Sequence, residues 1–321
     1  METKGALNTQ KVWGWKVAAY LFLAGVGAGA YLIGFIFSLT HPEFILLSKV
    51  TILLAAPLVI VGALFLIWDL GQKTLAPLVF LRPLSSWIAR GTIIITVFII
   101  LDLIHIGMWI WPFTWLEGAP GLRLALGGAT SVFAVLTLIY TGLLLGTAKP
   151  VPFWSISILP ILFLVSGVST GTMGAALSLS VYSLSTGSAV EPPLMLLARY
   201  DAFVIILEAL IICFYLIRMY RLTAARTSAY LVTKGSLAVH FWGGVVIAGL
   251  VLPFAFEIYN TYLPIANPMT VLVLTAVAGI IGLAGGFMLR YVVVAGGTRT
   301  PLNVEGVLVP PPDTYGVRVP W

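Results

Sequence analysis

Asp102 and His105 are ionisable residues inside a mainly apolar stretch, residues 88–111. Their spacing of three places both side chains on one face of an α-helix, and Trp109 continues that face. Ionisable groups within a membrane span are costly, so they usually line a cavity, pair with each other or relay protons. We therefore predict that Asp102 and His105 belong to a proton route. A purely structural Asp–His pair is the alternative.

Glu208 is another acidic residue in an apolar setting, near the middle of residues 198–220. Asp201 precedes it and Arg218 follows it. An unpaired ionised carboxylate is strongly disfavoured at such a depth, so Glu208 must be neutral, paired or hydrated. We predict that Glu208 joins Asp102 and His105 in one proton route from the outer side, with a packing role as the alternative.

Polar and aromatic residues also share a common depth near the side of the membrane that holds the N-terminus. They are Trp15, Lys16 and Tyr20 at the start of the first apolar run, Asp69 at the end of the second, His240 and Arg290. Each has an ordinary explanation as part of an aromatic belt, a basic side chain reaching the interface, or a solvated helix end. Their common depth nevertheless favours a shared site.

The elements that position these residues follow from composition. The protein has 321 residues, of which 60% are hydrophobic and 9% are charged. A water-facing surface does not tolerate this balance, whereas a bilayer core takes about 20 apolar residues per helix. We predict an all-α integral membrane protein with eight spans, grouped as two four-helix bundles. The predicted spans are residues 17–39, 48–70, 88–111, 124–146, 153–181, 198–220, 237–257 and 269–295.

The basic residues are distributed unequally between the two sides. Eight spans place both termini on one side, and that side holds all of the 17 Lys and Arg residues except Lys49, Arg123 and Arg199. Short loops rich in Lys and Arg face the cytoplasm. We predict a multi-pass protein of the inner membrane with both termini cytoplasmic. The net charge of +6 is explained by these loops, without nucleic acid as a partner.

The ligands needed for common redox cofactors are scarce. Cys213 is the only cysteine, so an iron–sulfur cluster, which needs several thiolates, is not expected in this protein. The three histidines, His41, His105 and His240, are predicted at different depths, which argues against haem held by two facing imidazoles. We expect no metal site, and any cluster would belong to a partner.

The sequence divides into three predicted segments. Residues 1–16 form a cytoplasmic N-terminal segment, residues 17–295 form the membrane domain with halves at 17–146 and 153–295, and residues 296–321 form an extended Pro-rich tail. Glycines spaced by four occur in both halves, at Gly25 and Gly29 and at Gly167 and Gly171. Such spacing typically lets helices approach closely in lipid.

Three stretches carry a resemblance to a known family. Residues 13–25 (WGWKVAAYLFLAG) resemble the opening of the NrfD/PsrC family of quinone-reactive membrane subunits. Residues 160–171 (PILFLVSGVSTG) are similar to the fifth helix of that family, and residues 285–291 (GGFMLRY) to its last helix. The resemblance covers essentially the whole sequence and agrees with the count of eight spans.

The resemblance implies a subunit of a respiratory oxidoreductase complex that binds menaquinone or ubiquinone. Its expected partners are a ferredoxin-like iron–sulfur subunit, a molybdopterin or similar catalytic subunit, and membrane lipids. Such a subunit does not itself act on the terminal substrate. The family places the quinone headgroup near the start of the first helix, in contact with the second and fifth. The corresponding residues here are Trp15, Tyr20, Asp69, Ser166 and Ser169, with Tyr20 and Asp69 as the catalytic pair.

The sequence departs from the family in two respects. Val17 stands where some members have a polar residue, and Tyr20 stands where some have His. Members that face the periplasm should have an outer N-terminus, whereas the charge distribution here predicts an inner one. Two other functions fit the same features: a secondary transporter, which shares Gly-rich spans and buried acids, and a passive anchor for an enzyme.

Overall fold

The computed structural model describes residues 13–69, 87–109, 119–147, 151–262 and 267–298, together with two short strands in the tail. Within these residues, eight helical segments are long and apolar enough to cross a membrane. This confirms the predicted all-α membrane fold and its eight spans. The protein is therefore a multi-pass membrane protein.

The part of the chain that the structure describes contains nine α-helices, seven of which each account for one membrane span. The nine are α1 (Trp15–Thr40), α2 (Ile45–Asp69), α3 (Trp87–Gly107), α4 (Pro120–Gly146), α5 (Ile158–Thr186), α6 (Glu191–Arg221), α7 (Thr223–Thr233), α8 (Leu252–Tyr262) and α9 (Pro268–Ala295). A short 3₁₀ turn, Pro42–Phe44, links α1 to α2. The seventh span combines a π-helix, His240–Val251, with α8. The sequence does not predict the short α7, which lies between the sixth and seventh spans.

The seventh span has an unusual winding. Pro253, at the second position of α8, lacks the N–H that an α-helix would direct to the carbonyl of residue 249. The π-helix ends two residues before this proline. Because π-helical segments are rare and concentrate at functional sites, this span is a region of interest for function.

One predicted span boundary is wrong. The sequence predicts a fifth span at residues 153–181 and a sixth at 198–220, with an external loop between them. The structure instead continues α5 to Thr186 and begins α6 at Glu191, which leaves a connection of residues 187–190. Pro192 and Pro193, which favour a loop, occupy the first turn of α6, where the missing N–H of proline breaks no helical hydrogen bond.

The helix contacts form two groups of spans. In the first bundle, α1 packs against α2 and α4, and α3 packs against α2 and α4. In the second bundle, α9 packs against α5, the π-helix and α8, while α6 packs against α5 and α8. The bundles meet mainly where α1 crosses α5.

The crossing of α1 and α5 depends on glycine. A Cβ atom at Gly29 would overlap the backbone carbonyl of Gly167, and one at Gly171 would overlap the backbone of Gly29 and Ala30. Because these obstacles are backbone atoms, they cannot move aside as a flexible side chain would. The Gly-x-x-x-Gly spacing in both halves therefore sets the close approach of the two bundles.

The tail contains a small antiparallel hairpin. Strand β1 (Leu302–Val304) pairs with β2 (Val307–Val309), with Leu302 opposite Val309. The remainder of the predicted tail from residue 299 onward, and residues 1–12 of the predicted N-terminal segment, lie outside the described residues.

Candidate functional site

The first polar cluster lies at the N-terminal side of the membrane, where α1 begins and α2 ends. Lys16 Nζ lies 3.9 Å from Asp69 Oδ1 and 4.8 Å from the centre of the Trp68 ring. Trp15 packs edge-on against Trp68 and is half exposed. We call these four residues the entry cluster. They combine a cation, a carboxylate and two exposed indole faces at the depth expected for lipid headgroups.

Tyr20 lies one turn further into α1 and faces the interior of the first bundle. Its side chain is fully buried, and its hydroxyl has no hydrogen-bond partner among the described residues. The side chain of Tyr140 of α4 lies near it. An unpaired buried hydroxyl is unfavourable, so this position is suited to a ligand or water that accepts or donates a hydrogen bond.

The second polar cluster surrounds His105 in the first bundle. The Tyr31 hydroxyl of α1 and His105 Nδ1 share a hydrogen bond of 2.6 Å. His105 Nε2 and both oxygens of Asp102 are buried and have no partner among the described residues. The predicted stripe of Asp102, His105 and Trp109 therefore faces the bundle interior. Trp109 packs edge-on against His105.

Two basic side chains lie at the end of this stripe, on the side of the membrane opposite the N-terminus. Lys49 Nζ of α2 lies 5.4 Å from the centre of the Trp109 ring, and the Arg123 guanidinium carbon of α4 lies 5.0 Å from it. Both distances are typical of cation–π contacts. Lys49 and Arg123 thus fix the end of α3 between its two neighbours.

The third polar cluster is a line of side chains through the second bundle. Arg290 of α9 is only 1% exposed, and its Nη1 donates to Ser166 Oγ at 2.5 Å and to the Gly286 carbonyl at 3.0 Å. Glu208 of α6 lies beside the Ser166 hydroxyl, with Arg290 nearby. The Ser166 hydroxyl thus lies between the buried guanidinium of Arg290 and the buried carboxyl group of Glu208.

The line continues from Glu208 toward the opposite side of the membrane. Asp201, about two turns from Glu208 along α6, is buried and lies beside Ser169 of α5 and Glu257 of α8. The carboxyl groups of Asp201 and Glu257 lie next to each other. Neither forms an ion pair with a basic side chain of the described residues.

Two small cavities adjoin this line. A cavity of about 10 Å³ is bordered by Ser169, Glu208 and the glycines Gly249 and Gly285. A second cavity of about 20 Å³ is bordered by Asp201, Glu257 and Asn260 of α8. A polar cavity of roughly 10–15 Å³ or more by this measure holds one water molecule. The second bundle therefore has room for water next to its acidic groups.

The structure separates residues that the sequence groups together. Asp102 and His105 lie in the first bundle, whereas Glu208 lies in the second. The predicted quinone residues fall in three places: Trp15 and Asp69 in the entry cluster, Tyr20 inside the first bundle, and Ser166 and Ser169 along the line in the second.

Sequence reasoning misses several members of these clusters. The sequence assigns Arg290 to the basic residues of the N-terminal side, but α9 continues to Ala295 and the guanidinium points inward. Its position inside the predicted span 269–295 is the signal that could identify it as an interior base. Tyr31, Glu257 and Asn260 are also missed, although Glu257 is an acid at the end of a predicted apolar span.

Comparison with known proteins gives a consistent result. A family model described as "Polysulphide reductase, NrfD" matches residues 4–302. The protein is 33% identical to the C chain of polysulfide reductase from Wolinella succinogenes over 316 residues, covering 89% of this sequence and 95% of that protein. It is 25% identical to "Protein NrfD" of Escherichia coli over 317 residues, covering 90% and 96%. It is also 23% identical to "Protein NrfD homolog" of Haemophilus influenzae, covering 90% and 95%.

Proposed function

Because the protein belongs to the NrfD polysulphide reductase family, we propose that it is the quinone-reactive membrane subunit of a respiratory oxidoreductase complex. The match of the family model over nearly the whole sequence carries this proposal. A similar protein is named as one chain of polysulfide reductase, which fits a role as one subunit among several. The eight spans provide the membrane part of such a complex.

The residues of the entry cluster suit a quinone headgroup. A quinone presents two carbonyl acceptors on a flat ring, so it needs donors and an apolar or aromatic surface. The Lys16 to Asp69 separation of 3.9 Å is longer than a hydrogen bond, so the Lys16 ammonium keeps donors available for another acceptor. The exposed faces of Trp15 and Trp68 offer the surface. Menaquinone or ubiquinone would supply two-electron, two-proton redox chemistry when bound there.

The protein groups of this site have distinct tasks. Lys16 donates a hydrogen bond and holds Asp69 in position, while the partly exposed Asp69 carboxylate exchanges protons with the adjacent aqueous phase. Tyr20 lies apart from the entry cluster, inside the first bundle, where its unpaired hydroxyl is available to hydrogen-bond a ligand or water. Trp15 and Trp68 shield the headgroup from lipid and water.

Protons are proposed to move along the polar groups of the bundles. Glu208, with Ser166 on one side and the water-sized cavity on the other, has the neighbours that a proton relay requires. Asp102 and His105 form a separate group in the first bundle, anchored by Tyr31. The positions of Ser166 and Ser169 favour a role in the second-bundle line over direct contact with the headgroup.

The partners follow from the chemistry that the protein lacks. With one cysteine, it does not supply the thiolates of an iron–sulfur cluster. Electrons therefore pass between the quinone and a ferredoxin-like iron–sulfur subunit, which connects to a molybdopterin or similar catalytic subunit. The charge distribution favours cytoplasmic termini in the inner membrane, with the iron–sulfur subunit docked on that side.

Gentle purification through a tag on this protein tests the proposal. We expect an iron–sulfur polypeptide and a larger catalytic polypeptide to co-purify, and a quinone to appear in the lipid extract. A lone polypeptide without quinone that takes up an ion or solute in liposomes would support a transporter instead. Co-purifying subunits without quinone would support a passive anchor.

A further inference from the structure

The cavity between Asp201, Glu257 and Asn260 is lined by buried oxygen atoms. Oδ1 of Asn260 has no hydrogen-bond partner among the described residues, and both oxygens of Asp201 and Oε2 of Glu257 are buried beside only each other and the Ser169 hydroxyl. All four atoms are acceptors. Asn260 is only 3% exposed, and its amide nitrogen already donates to Thr275 at 3.2 Å, which leaves Oδ1 for another partner.

The charges around this cavity are not balanced by protein groups. Asp201 is 1% exposed and Glu257 is 9% exposed, and neither pairs with a basic side chain of the described residues. The facing groups on α5 and α9 are Ser169, Thr172 and Thr275, which are uncharged. Two carboxyl groups so close together in an apolar medium require a bound cation or a proton.

The side chains beyond the cavity do not supply that charge either. Glu208, the next titratable group along α6, is itself acidic and adds to the negative potential at Asp201. Arg290 lies beyond Glu208, with its guanidinium directed at Ser166 and Gly286. No basic side chain of the described residues therefore balances Asp201 and Glu257, which leaves either a proton on the carboxyl groups or a small cation in the cavity.

The cavity also has a size and a position suited to such an occupant. Its volume of about 20 Å³ exceeds the roughly 10–15 Å³ that one water-sized molecule needs. Glu257 lies five residues before the end of α8 at Tyr262, a depth of about 8 Å at the rise of an α-helix. The site is therefore close to the side of the membrane opposite the N-terminus.

We propose that Asp201, Glu257 and Asn260 form a binding site for one small monovalent cation, supplied either as Na⁺ or as a hydrated proton. Hard cations prefer carboxylate and amide oxygens, which are the ligands present here. The cation enters from the side opposite the N-terminus, and Ser169 connects the site to Glu208. The site does not depend on quinone binding.

The test uses dicyclohexylcarbodiimide, an apolar reagent that modifies protonated carboxyl groups within membranes. The purified complex is labelled while NaCl replaces choline chloride at constant ionic strength and fixed pH, and modified residues are identified by mass spectrometry. If Na⁺ occupies the site, labelling of Asp201 and Glu257 falls saturably with Na⁺. If a hydrated proton occupies it, labelling ignores Na⁺ and both carboxyl groups lose reactivity together as the pH rises.

Matched variants separate this site from ordinary buried acids. Asn260→Leu removes the amide oxygen and keeps both carboxyl groups, so the half-protecting concentration of the cation should rise about tenfold. Thr172→Val is the control, because that hydroxyl lines the cavity but already donates to the Val168 carbonyl of its own helix. Asp102 in the first bundle serves as an internal acid whose labelling should not respond to Na⁺.

The cation site is rejected if labelling of Asp201 and Glu257 does not depend on Na⁺, follows a separate pH dependence at each residue and is unchanged by Asn260→Leu. If the reagent reaches neither residue, the melting temperature of the complex decides. Stabilisation by Na⁺ or by protons in the wild type, but not in Asp201→Asn, supports the site, and equal behaviour of the two proteins rejects it.

Discussion

The two bundles hold their buried polar groups in different ways. In the first, His105 shares one hydrogen bond with Tyr31 and lies against the rings of Phe35 and Trp109. In the second, a buried base, Arg290, begins a line of acids that ends at the cavity beside Glu257. Both bundles consist of apolar spans, and two small cavities adjoin the acids of the second.

This difference favours distinct roles for the bundles. A single tightly hydrogen-bonded imidazole among aromatic rings resists movement, which suits a structural or gating element. A line with alternating hydroxyl and carboxyl groups, two cavities and a glycine-rich π-helix allows water and protons to redistribute. The second bundle is therefore the better candidate for ion movement, and the entry cluster on the first bundle is the better candidate for redox chemistry.

The largest effect is expected from Arg290→Leu. Removing the guanidinium leaves the buried Ser166 hydroxyl without its charged donor and takes away the positive charge near Glu208, and a hydrogen bond to a charged group typically contributes about 1.5–3 kcal/mol. The melting temperature of the purified complex and its yield should both fall. Arg218→Leu, an exposed arginine at the end of α6, is the control and should change little. If Arg290→Leu were as stable as the wild type, the buried arginine would not be what distinguishes the second bundle from the first.

Neutralising single acids separates the two proposed routes. Glu208→Gln should slow proton uptake during turnover on the order of 100-fold, because a group that transfers protons is lost. Asp102→Asn should have a smaller effect if the first bundle is mainly structural. Proton uptake in proteoliposomes, measured with a pH-sensitive dye, makes the comparison. Equal losses would show that both bundles carry protons, and the reverse order would assign the route to the first bundle.

A substitution at Gly29 tests the contact between the two bundles. Gly29→Val places a side chain against the backbone of Gly167 and should destabilise the protein by about 1–3 kcal/mol through overpacking. Thermal unfolding in detergent measures the effect. Gly128→Val on α4 is the control, since a Cβ there meets nothing within 4 Å. If both variants melt alike, the α1–α5 crossing is looser than the structure indicates.

The smallest effect is expected from Tyr31→Phe. The change removes one hydrogen bond of 2.6 Å to His105 and should lower stability by about 1 kcal/mol. Tyr200→Phe, at a half-exposed tyrosine of α6, provides the comparison in the same assay. A loss of proton uptake in Tyr31→Phe without loss of stability would instead place His105 in a proton route.

The fold is predictable from the sequence, because the length of an apolar run is a local property. The error between the fifth and sixth spans arises because Pro192 and Pro193 favour both loops and first helical turns. The common depth of Lys16 and Asp69 in the membrane can also be predicted, because depth follows from counting residues along each helix. In the structure, Lys16 Nζ lies 3.9 Å from Asp69 Oδ1.

The neighbours of each buried residue are not predictable in the same way. Residue counting indicates how deep Asp201, Glu208 and Glu257 lie, but it does not state which helices are adjacent or how each is rotated. Asp102 and Glu208 therefore look like parts of one route, although they lie in different bundles. The pairing of Asp201 with Glu257 depends on the contact between α6 and α8, which only the structure provides.

The most direct test of the account is the reduction of the iron–sulfur partner by a quinol in the purified complex. Rapid mixing with a reduced menaquinone analogue, followed by electron paramagnetic resonance of the clusters, should show fast reduction in the wild type and in Glu43→Gln, an exposed acid between α1 and α2. Asp69→Asn should abolish the reduction while the complex stays assembled. Unchanged reduction in Asp69→Asn would remove Asp69 from the mechanism, and no reduction in the wild type would contradict the proposed function itself.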